Sequence, residues 1–179
     1  MECIMTKKAL AVIDLQNDYF PKGEFPLWNT ETTLTNIENA IALAKQQDMP
    51  VIIIQHIADN SLGIAPFFNP DTHGAEIHKD IITAATDCHV VVKAFADGFE
   101  NTCLDEVLQE YKITDLLLCG MMTQNCVTHT ALSKKAEKYK VSILTDCCTT
   151  VNEALHNIAL HAVSTRVNLM VTEQALATS

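Results

Sequence analysis

Along this 179-residue chain, short apolar runs alternate with longer stretches in which apolar and polar positions interleave. Ala9–Ile13, Val51–Ile54, His89–Val92, Asp115–Cys119, Val141–Leu144 and Val167–Val171 read as strands. Their apolar positions are contiguous rather than alternating, the pattern of strands covered on both faces of a parallel sheet. Glu31–Gln47 carries apolar residues at 34, 37, 41 and 44, close to a helical period. Thr102–Glu110, Gln124–Lys138 and Asn152–Val163 supply further helices between the strands. Ile57–Asp87, interrupted by Pro66, Pro70 and Gly74, predicts loops with a short helix, and long loops often carry function. The alternation predicts one α/β domain over residues 1–179, a Rossmann-like three-layer sandwich with a six-stranded parallel sheet flanked by helices.

Composition narrows the functional classes. The formal net charge of −10 leaves no basic patch to neutralise phosphates, which argues against a nucleic-acid partner. Apolar runs such as Val51–Ile54 are too short to span a bilayer, and Met1–Lys8 has no signal-peptide core. A soluble cytoplasmic protein with no membrane partner is expected. Seven cysteines, an odd number without a C-x-x-C pair, argue against a disulfide framework or zinc knuckle. The adjacent Cys147 and Cys148 are expected to pack rather than to do redox chemistry.

In open parallel sheets the ligand crevice lies beyond the carboxyl ends of the strands. Asp14 follows the first strand, Lys93 the third, and Cys126 lies one turn past the fourth. An acid, a cation and a thiol are thereby expected at one edge. Each has a plainer reading: a turn carboxylate, a solvated lysine, a core cysteine. Their convergence favours chemistry. Cys126 is expected near a helix N-terminus, where peptide dipoles and a neighbouring cation favour the thiolate.

The motifs carry a specific resemblance. Ala11-Val-Ile-Asp-Leu-Gln-Asn-Asp-Tyr-Phe20 is similar to the opening motif of isochorismatase-like hydrolases. Thr72-His-Gly-Ala-Glu-Ile-His78 resembles the family's G-T-x-G-A-E-I segment, with Asp71 in place of its glycine. Lys93–Leu104 resembles K-x-x-x-S-x-F-x-x-T-x-L, with Asp97 at the Ser position, and Gly120–Val127 resembles the nucleophile motif G-x-x-T-x-x-C-V. Asp146-Cys-Cys-Thr149 fits a later element of the same pattern.

The resemblance implies a cysteine-dependent hydrolase of an amide-type C–N bond. Asp14 would take the thiol proton of Cys126, Lys93 would support both charges, and a thioester would form and hydrolyse. It also implies an oxyanion hole at the Met122 and Cys126 amides and a cis peptide between Met121 and Met122. Tyr19 falls at an aromatic substrate position, and Phe67, Phe68 and Trp28 are further candidates for the pocket wall. No cofactor is implied. Metal-binding relatives carry Asp-x-His after the second strand, where His56 and Ala58 stand here. His73 and His78 lack an evident ligand partner, so no metal site is expected and nicotinamidase activity is disfavoured. His129, three residues after Cys126, suits packing or a subunit contact better than a Cys–His dyad. Family members usually self-associate, so a homo-oligomer acting on a small molecule is expected. The competing readings are vinyl-ether hydrolysis of the isochorismatase type and a non-catalytic α/β binding or scaffold protein. A nucleotide-binding flavodoxin-like protein is disfavoured because no glycine-rich loop follows the first strand.

Overall fold

The computed structural model describes residues 6–177; Cys3 and the start of the Met1–Lys8 segment lie outside them. Six strands, β1 (Lys8–Ile13), β2 (Val51–His56), β3 (His89–Lys93), β4 (Asp115–Met121), β5 (Lys140–Thr149) and β6 (Asn168–Met170), form one parallel sheet. Their spatial order is β3-β2-β1-β4-β5-β6. The order reverses between β1 and β4, which makes that gap the switch point where such sheets bind ligands.

Each strand run forms because its residues are apolar on both faces. From Ala9 to Ile13 every residue of β1 is buried, and β4 is buried from Leu116 onward. Helix α1 (Thr30–Gln46) lays Leu34, Ile37, Ala40, Ile41 and Ala44 against the sheet. Each fully buried Leu or Ile there stabilises the packing by roughly 1.5–3 kcal/mol. The long link holds two 3-10 turns, at Asn60–Leu62 and His73–Ala75, and the short helix α2 (Lys79–Ala84). Helix α3 (Leu104–Glu110) begins two residues later than its sequence pattern because Thr102 Oγ1 turns back to Gly98 O at 2.6 Å. β5 runs on through Asp146–Thr149, beyond the expected Val141–Leu144, with a register shift against β4 between Leu118 and Gly120.

The expected helix Gln124–Lys138 is not one helix. It divides into a π turn (Thr123–Val127), the single-turn helix α4 (Thr128–Ala131) and a 3-10 turn (Lys134–Lys138). The amides of Asn125 and Val127 both reach Met122 O, and the side chains of Thr128 and His129 both take Asn125 O. Side chains that claim backbone carbonyls interrupt the regular ladder, and Ser133 leaves the helical region at φ −54°, ψ 141°. Helix α5 (Glu153–Val163) starts at Asn152, whose side chain accepts the Leu155 amide at 2.9 Å. The one-turn helix α6 (Thr172–Ala175) follows β6. Among the described residues no helix is long and apolar enough to cross a membrane.

Candidate active site

Four strand ends build the site. Asp14 follows β1 in the left-handed region, φ 55°, with its amide on Ile54 O at 2.9 Å. Asp tolerates this conformation better than most residues. His56 and Lys93 end β2 and β3 as register partners. Gly120, at φ +122°, lets β4 pass so close to β1 that any Cβ would collide with Ile13 O. The Met121–Met122 peptide beyond it is cis. The π turn then brings Cys126 back to the strand ends, a local winding often found at functional sites.

Asp14, Lys93 and Cys126 are each no more than 3% exposed. Lys93 Nζ lies 2.8 Å from Asp14 Oδ2, 2.9 Å from His56 Nδ1 and 3.3 Å from Cys126 Sγ. An ammonium has three protons and no lone pair, so these three acceptors use it completely. Burial pulls the Lys93 ammonium toward neutrality, but the facing Asp14 carboxylate and then the Cys126 sulfur outweigh it and hold its pKa above the ordinary lysine range. His56 therefore accepts at Nδ1 and carries its proton on Nε2. Burial, then the adjacent ammonium, lower the His56 pKa, with Asp14 offsetting part of that shift. Asp14 Oδ1, also buried, has no hydrogen-bond partner.

The thiol departs from expectation. Burial, followed by the Asp14 charge, pushes Cys126 well above the ordinary cysteine range, and Lys93 offsets this only in part. The expected helix terminus at Cys126 is instead a π turn, and burial outweighs the thiolate-favouring effect of Lys93.

Two motif side chains hold this arrangement from outside. Gln16 accepts the His56 amide at 2.8 Å and donates to His56 O and Ala75 O, both at 2.7 Å. Asp18, 3% exposed, accepts the Phe68 amide at 2.7 Å and the Glu24 amide at 3.2 Å. Gly74 leaves room for it, because a Cβ there would overlap the Asp18 carboxylate. Phe68 is thereby held against Tyr19, ring centroids 4.5 Å apart, with Phe67 5.3 Å from Tyr19 and His56 5.9 Å from Phe68. Tyr19 and Phe68 are buried and Phe67 is half-buried. Burial, with the charges of Asp14, Cys126 and Asp18, raises the Tyr19 pKa, as expected of a ring beside the reactive groups.

Trp28 is not part of this aromatic cluster. It stands on the β5 side, its amide on Thr150 O, its carbonyl bonded by Thr149 Oγ1, and its ring 6.3 Å from His156. Thr123 Oγ1 donates to Thr149 O at 3.1 Å, so its 2.9 Å contact with His156 Nδ1 is a bond donated by the imidazole. This chain fixes the start of the turn that carries Cys126. His129 Nδ1 contacts Asn125 O at 2.8 Å in an exposed position, a backbone contact rather than a dyad with Cys126. Cys147 and Cys148 are buried. Gln16, Asp18, His56 and His156 were not assigned site roles from the sequence; the opening motif signals Gln16 and Asp18, and the place of His56 beside Lys93 at adjacent strand ends signals His56.

Asp14, His56 and Cys126 present ligand-type atoms within 4.8 Å of one another. A zinc ion drawing all three to about 2.0–2.3 Å would have to stand where Lys93 Nζ already makes its contacts. The residues fit the ammonium, not a metal. His73 and His78 pair instead with Glu76 and Asp80, at 2.7 and 3.6 Å. A cavity of about 750 Å³, lined by Asp18, Phe20, Lys22, Asn69 and His73 among others, touches none of Asp14, Lys93 and Cys126.

The family model of the isochorismatase domain matches residues 8–175. The chain belongs to the isochorismatase family. Over 142 residues it is 37% identical to the uncharacterised isochorismatase family protein YddQ of Bacillus subtilis (strain 168), spanning 79% of this chain and 77% of that one. It is 26% identical over 182 residues to the nicotinamidase of Escherichia coli (strain K12), covering 83% and 85% of the two chains. Among solved structures, an isochorismatase-like hydrolase from Alkaliphilus metalliredigens is similar with a TM-score of 0.85 at 26% identity, covering 96% of this chain and 98% of that one. This isochorismatase-family hydrolase shares with that structure the α/β fold of a six-stranded parallel sheet flanked by helices.

Proposed function

We propose that this hydrolase cleaves a C–N bond of a small carboxamide-type molecule through a thioester on Cys126. The observation that carries the reading is one buried ammonium in contact with both a carboxylate and a thiol: Lys93 Nζ, 2.8 Å from Asp14 and 3.3 Å from Cys126. Lys93 and Asp14 form a buried ion pair, Nζ to Oδ2 at 2.8 Å. Asp14 Oδ1, buried and without a hydrogen bond, is the acceptor for the thiol proton. As the proton leaves, negative charge moves from Asp14 to sulfur, still beside the Lys93 ammonium.

The sulfur then adds to the carbonyl, and the Met122 and Cys126 amides are the donors for the resulting oxyanion. Collapse breaks the C–N bond, Asp14 returns its proton to the departing nitrogen, and ammonia or an amine leaves. Asp14 next takes a proton from water, whose oxygen attacks the thioester and releases a carboxylic acid and the free thiol. The test is a panel of small carboxamides and ureido compounds assayed for ammonia or amine, with the acyl-enzyme trapped by acid quench and intact-mass spectrometry. A mass increase confined to Cys126 and absent in Cys126→Ala supports the reading. Turnover that survives Cys126→Ala would sink it.

A further inference from the structure

The remaining question about this site is what charge it can accept, and the whole chain answers it. There are twelve Lys and Arg residues. Lys7, Lys8, Lys112, Lys140 and Arg166 lie where strands begin, at the opposite edge of the sheet, and Lys45 bonds Ala84 O and Thr86 near the end of α1. Lys134, Lys135 and Lys138 lie on the turn before β5, where Lys135 donates to Phe99 O and Lys138 pairs with Asp105. Lys22 opens on the outer cavity beside Glu24, and Lys79 starts α2 next to Asp80. Only Lys93 reaches the strand ends that carry Cys126, and its three protons are engaged. Beside it stand Asp14, His56 in its neutral form, and the Tyr19, Phe67 and Phe68 rings.

Resting on the nucleophile reading above, we infer that the site selects an electrically neutral substrate: a small amide with no carboxylate, phosphate or sulfonate. Among the described residues, an anionic group would find no uncommitted cation at the strand ends that carry Cys126. It would also meet the unpartnered Asp14 Oδ1 inside a protein of net charge −10. A like charge desolvated at such range is strongly disfavoured. A neutral amide meets a balanced ion pair and an aromatic wall.

Iodoacetamide and iodoacetate differ in charge but hardly in shape, so they report this selectivity without the natural substrate. Alkylation of Cys126 in the full chain is followed by peptide mass spectrometry. N-acetylcysteine amide, a neutral free thiol, supplies each reagent's intrinsic rate. The iodoacetamide-to-iodoacetate ratio at Cys126 should exceed the reference ratio by about tenfold or more. In Asp14→Asn, which leaves Lys93 uncompensated, the preference should shift toward iodoacetate. A wild-type ratio at or below the reference overturns the neutral-substrate inference while leaving the nucleophile reading standing, and so does a ratio indifferent to Asp14→Asn. Failure of both reagents to label Cys126, in the wild type and in Asp14→Asn alike, while both label the exposed Cys103, removes the nucleophile and the inference together.

Discussion

Replacing Asp14 with Asn should make the Cys126 thiol more acidic and the hydrolase less active. The two effects separate because Asp14 does two things at once. Its charge, within 4.8 Å of the sulfur, repels a thiolate by about 3 kcal/mol at an effective dielectric of about 20, roughly two powers of ten in thiolate population. Burial still raises the thiol pKa in the variant, but Lys93, in contact at 3.3 Å, becomes the dominant nearby charge. The variant thiol should therefore titrate well below the wild-type thiol. Turnover, however, loses its proton acceptor, which costs about 10²–10⁴-fold. The assay is the rate of iodoacetamide labelling at Cys126 across roughly pH 6 to 10, beside amine release by the same preparations. Asp14→Asn with faster labelling near neutral pH and collapsed turnover is the expected pair. An unchanged or upward-shifted labelling profile would show that no carboxylate charge faces the sulfur, and the mechanism would lose its base.

Lys93→Met strands the buried Asp14 carboxylate and should cost about 3–5 kcal/mol in urea unfolding; adding Asp14→Asn should recover part of the loss, because the uncompensated charge is then gone. His56 and His156 both have folded-state pKa values below 6.5, so the unfolded chain binds more protons than the folded one between those values and 6.5. Stability should be intact above about pH 6.5 and fall as pH drops through that window; His156→Gln, which keeps a donor for Thr123, should flatten the slope, and a slope unchanged by it would refute the assignment. Asp18→Asn leaves one oxygen for two amide donors and should cost about 1–3 kcal/mol. It should raise KM more than it lowers kcat, since Asp18 holds Phe68 rather than the reacting groups; limited proteolysis between residues 57 and 78 would show the loosened loop.

Much of this was readable from the chain because burial on both faces leaves contiguous apolar strands, and strands then fix where their ends fall. Asp14, Lys93 and Cys126 could be placed together from topology and residue type, and the structure brings Lys93 within contact of both others. The helix after β4 was not readable: its apolar spacing suits a helix, but its threonines, Asn125 and His129 spend backbone carbonyls on side-chain bonds that no periodicity count registers. The Gln16 and Asp18 motif residues were visible as a motif. Their work was not, because each acts on a segment 40 or more residues away in sequence, at His56 and at Phe68. Tyr19 and Phe68 were marked as aromatic neighbours of the site, and Trp28 with them, yet a residue type cannot say which side of the crevice it will occupy.

The acidity of Cys126 shows what separates a local rule from a site. A helix N-terminus and a nearby lysine each stabilise a thiolate, and dipole effects are worth about 0.3–1 kcal/mol at exposed termini and up to about 2 in partly buried ones. Desolvation acts in the opposite sense and can shift a fully buried group by as much as 3–5 pK units. With Cys126 only 3% exposed and the Asp14 carboxylate within 4.8 Å, the larger effect wins. A thiolate formed in advance would also have to coexist with ionised Asp14, two negative charges sharing one ammonium. In the proposed mechanism, holding the proton on sulfur until a carbonyl arrives keeps the buried site at one positive and one negative charge throughout: Asp14 and Lys93 before the transfer, Cys126 and Lys93 after it. In the proposed mechanism, the same charge balance that keeps the proton on Cys126 leaves no uncommitted cation beside it for an anionic substrate.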